Sequence, residues 1–384
     1  MSKRDGQPTV RDVAALAGVS TATAARALGG YGRVSAAVRA KVTDSATALG
    51  YRPNVLARSM ITGTSHTLGV VIADIENPFF ASIVRGIADA AHAGGFEVIL
   101  VNTDEDVGKE QAAIGVLLDK RVDGLLVAAA STEDVGHLTD AVRHGLPLVC
   151  LDRVVPGLNA DAVVVDSQRA AHNAVSHLLR LGHRRIGIVA GADDRLPPLA
   201  ELAHAPVWGP PGVLPDAARL GGYLTAHQTA GVAVDPELIR TCRYGRETAA
   251  RETAALLRLD SPPTALFTTD AIITLGALES VVAAGVSIPD QLSIVGFDDA
   301  EWATLLRPPL TVVAQPVYDL GVAATRRLLD RIAGDERPPE VMVLDTSFIV
   351  RGSTRPLTPA GPLVTSRRGF SRRGEARTRV RSAS

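Results

Sequence analysis

The chain has 384 residues, of which 46% are hydrophobic and 21% charged, and its formal net charge is −1. This length predicts two or three domains, and the composition excludes a disordered chain. No apolar run of about 18 residues occurs and none follows residues 1–5, so we expect no membrane span, no signal peptide and a cytoplasmic location.

Residues 9–28 predict two short helices joined by a tight turn. Apolar side chains recur at the spacing of one helix face, at Val10, Val13, Ala14 and Ala17. Thr9 is placed to cap this helix with Asp12 in its first turn, and Gly18 supplies the left-handed residue that ends it. The pattern is typical of a helix-turn-helix, although a helical hairpin inside a core has the same local signals.

The second helix of this pair has the features of a DNA-reading element. Ser20 can cap it, and its outward side offers Thr21, Ala22 and Arg26. A short helix that opens with small polar residues can enter the major groove by its N-terminal end. Because Thr21 and Ala22 are small, we expect direct base readout to depend mainly on Arg26 and DNA shape to contribute strongly.

A third helix completes a small basic module. Ser35 can cap it, and Val38, Val42 and Leu49 form its apolar stripe up to Gly50. Three short helices have little core of their own, so the module needs a partner surface. Residues 1–64 hold nine Lys or Arg against three Asp, a net charge of +6, which is the electrostatic footprint of phosphate binding.

The remaining chain alternates strands and helices. Continuous apolar runs predict strands at 68–73, 98–102, 124–128, 148–151, 162–165, 186–190, 265–268 and 292–297. Helical segments lie between them at 80–93, 110–120, 169–181, 248–257 and 272–284. Short all-apolar strands separated by amphipathic helices predict parallel sheets covered on both faces, as one sheet or as two.

Seven short motifs occur along the chain: DVAALAGVS at 12–20, GYRPNVLARS at 50–59, NPFF at 77–80, RVDG at 121–124, LDR at 151–153, VGFDD at 295–299 and PPLT at 308–311. With these motifs the chain resembles the lactose-repressor-type (LacI/GalR) family of transcription regulators, from about residue 9 to 353. Each motif is weak alone, and their order and spacing make the resemblance specific.

The resemblance implies an α/β fold class: a three-helix DNA-binding domain and a hinge helix, then a periplasmic-binding-protein-like core of two doubly wound subdomains. The implied domains are 1–50, a hinge at 51–65, and a core at 66–356 with crossings near 163–166, 293–297 and 318–324. The N-subdomain is expected at about 66–163 and 297–320, and the C-subdomain at about 166–293 and 324–356. Residues 357–384 are expected to form a basic, disordered tail.

The implied function is a sequence-specific repressor controlled by a small effector, a sugar or sugar derivative. Its expected partners are a near-palindromic duplex operator, that carbohydrate and a second copy of the chain, with no membrane, no metal and no cofactor. The alternative is a solute-binding protein of the same core fold, which would need a signal peptide but not the basic module. The motifs GxxxxGK[ST], HExxH, GxSxG and GxGxxG are missing, so we expect no enzyme. Cys150 and Cys242 are predicted to be two separate buried thiols.

The resemblance also assigns site residues. The DNA-binding set is Thr9, Ser20, Thr21, Ala22, Thr23, Arg26, Ser35, Tyr51, Asn54, Leu56, Ala57 and Met60. The effector-binding set is Asp74, Asn77, Phe79, Asn102, Asp152 and Arg153 on one wall, with Arg219, Tyr244, Thr269, Asp270 and Asp298 on the other. Met60 stands where the family wedges a Leu into the minor groove, and it is large and apolar enough to do the same. The local alternatives are that Asp298 and Asp299 cap the next helix, that Asn77 before Pro78 starts a helix, and that Phe79 and Phe80 both belong to the core.

Five departures from the family pattern stand out. Gly29-Gly30 and Ala25 replace side chains that offer phosphate contacts, and Thr269-Asp270 replaces Asn-Asp. Residues 195–215 contain six prolines and resemble an insertion that can cover the cleft or displace Arg219. Residues 365–384 hold seven Arg and one Glu, typical of a solvated tail, with extra nonspecific DNA affinity as the alternative.

Overall fold

The computed structural model describes residues 8–51, 64–191 and 214–357. Several predictions fall outside these ranges: the hinge helix, with Asn54, Leu56, Ala57 and Met60, most of the proline-rich insertion, and the basic tail. Within the described ranges, no helix is both long and apolar enough to cross a bilayer. Both cysteines are buried and unpaired, which confirms that prediction.

The N-terminal module consists of α1 (Val10–Ala17), α2 (Thr21–Gly29) and α3 (Ala36–Ala48). Thr9 and Asp12 form a reciprocal capping box, in which the Asp12 carboxylate accepts from the Thr9 amide at 2.7 Å. Gly18 has a φ of 63° and ends α1. The hydroxyls of Ser20 and Ser35 accept hydrogen bonds from the first turns of α2 and α3, so the predicted caps are confirmed.

The module encloses a small apolar core. Its buried residues are Val13, Ala14, Ala17, Ala24, Ala27, Val42 and Ala46. The prediction that Leu49 belongs to the apolar stripe of α3 is wrong, since α3 ends at Ala48 and Leu49 is 36% exposed. Tyr51 packs against this core, which leaves its ring half-buried.

The first sheet has the strand order β11-β5-β4-β3-β1-β2, and all its neighbouring strands are parallel. Its strands, numbered along the chain, are β1 (Thr67–Ile72), β2 (Glu97–Asn102), β3 (Gly124–Val127), β4 (Leu148–Leu151), β5 (Asp161–Val165) and β11 (Val341–Leu344). Its helices are α4 (Pro78–Ala93), α5 (Val107–Asp119), α6 (Gly136–Arg143) and α11 (Val317–Ile332). Helices α4 and α11 cover one face, and α5 and α6 cover the other.

The second sheet has the order β12-β10-β9-β8-β6-β7 and is parallel except for β12. Its strands are β6 (Ile186–Ala190), β7 (Ile239–Thr241), β8 (Ala265–Thr268), β9 (Ser293–Phe297), β10 (Thr311–Ala314) and β12 (Ser347–Ile349). Its helices are α7 (Ser167–Arg180), α8 (Pro215–Thr229), α9 (Arg246–Leu257) and α10 (Ala271–Ala283), with 3₁₀ turns at Pro236–Leu238 and Glu301–Thr304. Helices α7 and α8 cover one face, and α9 and α10 the other.

The chain crosses between the sheets at 166, at 315–316 and at 345–346. The crossing predicted at 293–297 is wrong, because β9 pairs with β8 and β10 inside the second sheet. The crossing predicted at 318–324 is also wrong, because α11 belongs to the first subdomain throughout. A Cβ on Gly321 of α11 would lie 2.2 Å from the Ile83 carbonyl of α4, so only glycine permits this close approach. The first subdomain is therefore 64–165 with 317–344, and the second 167–191 and 214–314 with 347–357.

A buried ionic network fixes α11 to the first sheet. Asp161 at the start of β5 is 1% exposed and accepts from Arg331 Nε at 2.7 Å. Arg327, 4% exposed, has its Nε 2.9 Å from Asp161, and the Glu340 amide donates to the same carboxylate at 2.9 Å. Buried charges of this kind depend on each other, since removing one leaves the others unpaired.

We expect Asp161→Asn to destabilise the first subdomain by about 3–5 kcal/mol, the usual cost of breaking a buried ion pair. Urea unfolding followed by circular dichroism measures this. Asp89→Asn, which removes the exposed i,i+4 pair with Arg85, is the control and should cost at most about 1 kcal/mol. Equal midpoints for the two variants would contradict the structural role of Asp161.

Candidate functional site

A cavity of about 780 Å³ lies between the two subdomains. Its walls are the residues that follow the carboxyl ends of β1, β2 and β4 in the first sheet and of β6, β7, β8 and β9 in the second. The first turn of α8 closes one side. Parallel α/β sheets bind ligands at this edge, so the position agrees with the predicted effector cleft.

Asn77 connects the two walls. Its side-chain oxygen accepts from the Phe79 amide at 2.9 Å and so caps α4. Its amide nitrogen donates across the cleft to the Tyr244 hydroxyl at 2.7 Å and to Asp270 at 3.4 Å. The Asn77 side chain therefore caps α4 and also contacts the opposite wall of the cleft.

Phe79 likewise combines two roles. It is 7% exposed, packs edge-on against Phe80 at a centroid distance of 5.0 Å, and belongs to the core of the first subdomain. Both rings also line the cavity. They give the cleft an apolar, aromatic floor.

Asp74 and Asn102 shape the loop after β1. The Asn102 side chain accepts from the Ile75 amide at 2.7 Å, and Asp74 accepts from the Glu76 amide at 2.9 Å. Both side chains line the cavity, as predicted from the resemblance. The hydrogen bonds to the loop amides hold both side chains in place at the cavity wall.

Arg153 is held by its own subdomain. It is 5% exposed, donates to the Ala129 carbonyl at 2.9 Å, and pairs with Glu105 at 3.3 Å and Asp152 at 3.2 Å. Asp152 has a φ of 67°, in the left-handed region that favours glycine. The cluster lies at the cavity wall with most of the guanidinium already hydrogen-bonded.

Arg219 dominates the second wall. Its side chain is 5% exposed, its Nη1 donates to the Thr269 carbonyl at 2.7 Å, and its guanidinium carbon lies 4.0 Å from the centre of the Phe297 ring. It lines the cavity, so the insertion before it has not displaced it. The Thr269 side chain is fully buried, and its hydroxyl accepts from the Gly191 amide at 3.3 Å. Thr269, which the resemblance placed in the effector-binding set, is not among the residues that line the cavity, and its carbonyl contributes by holding Arg219.

Asp270 and Asp298 follow β8 and β9. Asp270 caps α10 through the Ile272 amide at 2.6 Å and accepts from the Tyr244 hydroxyl at 3.2 Å. Asp298, at a φ of 72°, accepts from Gln315 at 2.6 Å through one oxygen. Its other oxygen is buried without a hydrogen bond of normal geometry in the described part of the chain.

The sequence analysis missed six charged residues that line the cavity: Glu76, Asp104, Glu105, Asp106, Asp216 and Arg243. Asp216 lies one helical turn before Arg219 in α8, and its Oδ1 is 3.9 Å from Arg219 Nη1. The i,i+3 spacing of an acid and an arginine was the available signal. Burial, with added repulsion from Asp270, raises the pKa of Asp216 to about 7 against the opposing charge of Arg219. Burial and the Asp270 charge raise the pKa of Asp298 to about 6.

The predicted DNA-reading surface is the start of α2. Thr21, Ala22 and Arg26 are exposed, and Arg26 Nε donates to the Ala22 carbonyl at 3.2 Å. Its terminal nitrogens keep four donor hydrogens for a base or phosphate. Ser20 and Thr23 bond to each other at 2.8 Å, so these hydroxyls already serve the cap.

Comparison with known proteins gives consistent matches for both parts of the chain. A model for "Bacterial regulatory proteins, lacI family" matches residues 9–54, and one for "Periplasmic binding proteins and sugar binding domain of LacI family" matches 65–351. The transcriptional repressor CytR of Escherichia coli is 34% identical over 92% of this chain and 98% of its own.

Two solved structures match nearly the whole chain as well. A lac repressor dimer bound to operator and the anti-inducer ONPF is 25% identical, with a TM-score of 0.76, covering 91% of this chain and 100% of that one. A complex of the regulator CelR with cellobiose is 29% identical, with a TM-score of 0.65, over 90% and 99%.

The raised pKa of Asp216 predicts a pH-dependent stability. The Asp216 carboxyl keeps its proton up to about pH 7 in the folded state but loses it near pH 4 in the unfolded state. Because the unfolded state binds fewer protons between these two pH values, this carboxyl lowers the stability of the fold as the pH rises from 4 to 7. We expect the melting temperature of Asp216→Asn, relative to the parent, to rise from pH 5 to pH 8, as differential scanning fluorimetry can measure.

Asp104 provides the matched control, because its ion pair with Lys109 holds the pKa of that carboxyl below its usual value. It is ionised in both states above pH 5, so the relative melting temperature of Asp104→Asn should not change with pH. A flat difference for Asp216→Asn as well would show that this carboxyl is ionised at neutral pH.

Proposed function

Because this chain belongs to the LacI family of bacterial regulatory proteins, we propose that it represses transcription under the control of a small polyhydroxylated effector bound between its two subdomains. The observation that supports this best is the combination, on one chain, of an exposed reading helix with a cleft whose two walls meet in the Asn77–Tyr244 hydrogen bond. A solute-binding protein of the same core fold has no use for the basic module. We propose no catalytic role.

The chemistry of the cleft suits a sugar. The Phe79 and Phe80 rings offer apolar faces, Arg219 offers a buried forked cation, and Asp298 offers an oxygen without a partner in the described ranges. Sugar recognition needs an apolar surface for the ring and paired polar groups for adjacent hydroxyls. The CelR relative was solved with cellobiose, and the same ligand class is proposed here.

Control of DNA binding is proposed to work through cleft closure. The subdomains are joined at 166, 315–316 and 345–346, so a ligand that contacts both walls changes the tilt of one subdomain against the other. In a dimer this tilt sets the spacing of the two segments that lead to the reading helices. A two-turn helix in the predicted hinge is marginally stable, so a small change in spacing shifts its equilibrium. The coupling typical of such systems is about 1–3 kcal/mol.

The predicted partner is a near-palindromic operator bound by a homodimer, because two α2 helices related by a two-fold axis require inverted half-sites. Selection from random duplex DNA should therefore return two inverted half-sites. A single asymmetric site would contradict the dimeric reading.

Arg26→Ala should reduce site preference more than total DNA binding. A guanine contact by Arg26 is expected to be worth about 1–3 kcal/mol per half-site, whereas a phosphate contact weakens all sequences alike. Mobility shift with operator and random duplex separates the two, with Arg39→Ala in α3 as a control of equal charge. Equal losses on both duplexes for Arg26→Ala would place this side chain on phosphate.

Arg219→Ala and Asp298→Ala should each weaken effector binding while operator affinity without effector is retained. Calorimetry with monosaccharides, disaccharides, sugar phosphates and nucleosides measures this, with exposed Asp140→Ala as the control. A ligand that binds the parent and both cleft variants equally would show that the effector site lies elsewhere. Binding of a nucleoside alone would leave the fold and DNA binding intact and overturn the sugar class.

A further inference from the structure

We propose that the effector is a cationic polyhydroxylated molecule, of which an amino sugar is the simplest form, and that Asp216, Asp270 and Asp298 hold its ammonium group. The proposal rests on the function proposed above, because it concerns the ligand of the same cleft. It makes Asp216 the specificity-determining residue of the site.

The charges in the cleft are unbalanced. Three carboxyls, Asp216, Asp270 and Asp298, line the second wall, against two guanidinium groups, those of buried Arg219 and exposed Arg243. Asp216 has its Oδ1 3.9 Å from Arg219 Nη1, longer than a hydrogen bond. When all three acids are ionised, this wall carries one more negative than positive charge, and only the positive charge of Arg219 is buried.

Arg219 is already engaged elsewhere. Its Nη1 donates to the Thr269 carbonyl at 2.7 Å, and its face rests on the Phe297 ring at 4.0 Å. The side chain is 95% buried and lines the cavity, and its Nε has no hydrogen-bond partner among the described residues. Arg219 therefore holds the wall together, and its one charge offsets only part of the charge of the three carboxyls.

The opposite wall supplies no spare cation. Arg153 is taken up by Glu105 and Asp152, which are themselves two carboxylates against one guanidinium. On the second wall, Arg243 follows β7 and also lines the cavity, but it is exposed, so solvent screens its charge. Among the described residues, no group of His, Cys, Asp or Glu is arranged to hold a metal ion.

Two buried carboxylate oxygens of the second wall accept no hydrogen bond of normal geometry from the described residues. They are Asp216 Oδ1 and Asp298 Oδ2. Burial raises the pKa of both carboxyls, to about 7 and about 6, in spite of the opposing charge of Arg219. A buried acceptor without a donor is costly, so a ligand that supplies donors there is bound strongly.

An ammonium group meets these requirements better than a hydroxyl. It presents three donor hydrogens and one positive charge, whereas a hydroxyl presents one donor and no charge. A cleft lined mainly by carboxylates also raises the local concentration of cations and repels anions. The site is therefore expected to prefer the amine over the matching neutral sugar and to reject the sugar phosphate.

The test is calorimetry on the full-length protein at low ionic strength, with matched sugars. D-glucosamine, D-galactosamine and D-mannosamine are each compared with the parent hexose, the N-acetyl form and the 6-phosphate. We expect at least one amine to bind about tenfold or more tightly than its neutral counterparts, as a desolvated charge pair allows. We expect added salt to reduce that preference.

Asp216→Asn should remove the preference for the amine while retaining operator binding without ligand, which shows that the variant is folded. Asp104→Asn makes an equal charge change at the rim of the same cavity and should leave the preference for the amine unchanged. A preference that survives Asp216→Asn would refute the assigned role of this residue.

The proposal is overturned if a neutral sugar or a 6-phosphate binds as tightly as its amine, or if no amine binds. A neutral or phosphorylated sugar that binds and changes operator affinity would leave the proposed regulatory function standing. If no compound in the panel changes operator affinity, the sugar class of effector fails too.

Discussion

The burial of Arg219 between the Thr269 carbonyl and the Phe297 ring is the interaction on which the effector cleft depends. A guanidinium that is 95% buried must be paired or hydrogen-bonded, and this one ties the first turn of α8 to the ends of β8 and β9. The carboxyls of Asp216, Asp270 and Asp298 come together around it as a consequence. The cavity thus keeps polar groups without full partners, which a ligand can satisfy.

The same cleft contains a direct contact between the two subdomains. Asn77 lies at the start of α4 in the first subdomain and bonds to Tyr244 and Asp270 in the second. A ligand placed beside this contact interacts with both subdomains. The chain joins the subdomains at 166, 315–316 and 345–346, and the proposed closure would tilt one subdomain against the other about these connections.

The sequence predicted local structure well and sheet membership poorly. The caps at Thr9, Ser20 and Ser35 depend on neighbouring residues only, and the structure confirms them. The eight apolar runs all became strands within about a residue of their predicted ends. Four strands were missed: Ile239–Thr241 and Ser347–Ile349, which have three residues each, and Thr311–Ala314 and Val341–Leu344, which have four.

The crossings were misplaced for a related reason. An apolar run shows that a strand is buried but not which sheet it joins, and β9 is central in the second sheet. The same contrast between local sequence and tertiary packing applies to the site residues. Asn77, Arg219 and Asp298 were placed by resemblance and line the cavity, whereas the orientation of Thr269 and the approach of Asp216 depend on packing that one sequence does not contain.

The most direct test of the account is reciprocal linkage between the two sites. The dissociation constant of an effector that binds the cleft is measured by calorimetry on the free protein and on the protein saturated with operator, and operator affinity is measured with and without that effector. The account predicts that both ratios are equal and amount to roughly 5–150-fold. An effector affinity that is unchanged by operator would contradict the claim that closure of this cleft controls DNA binding.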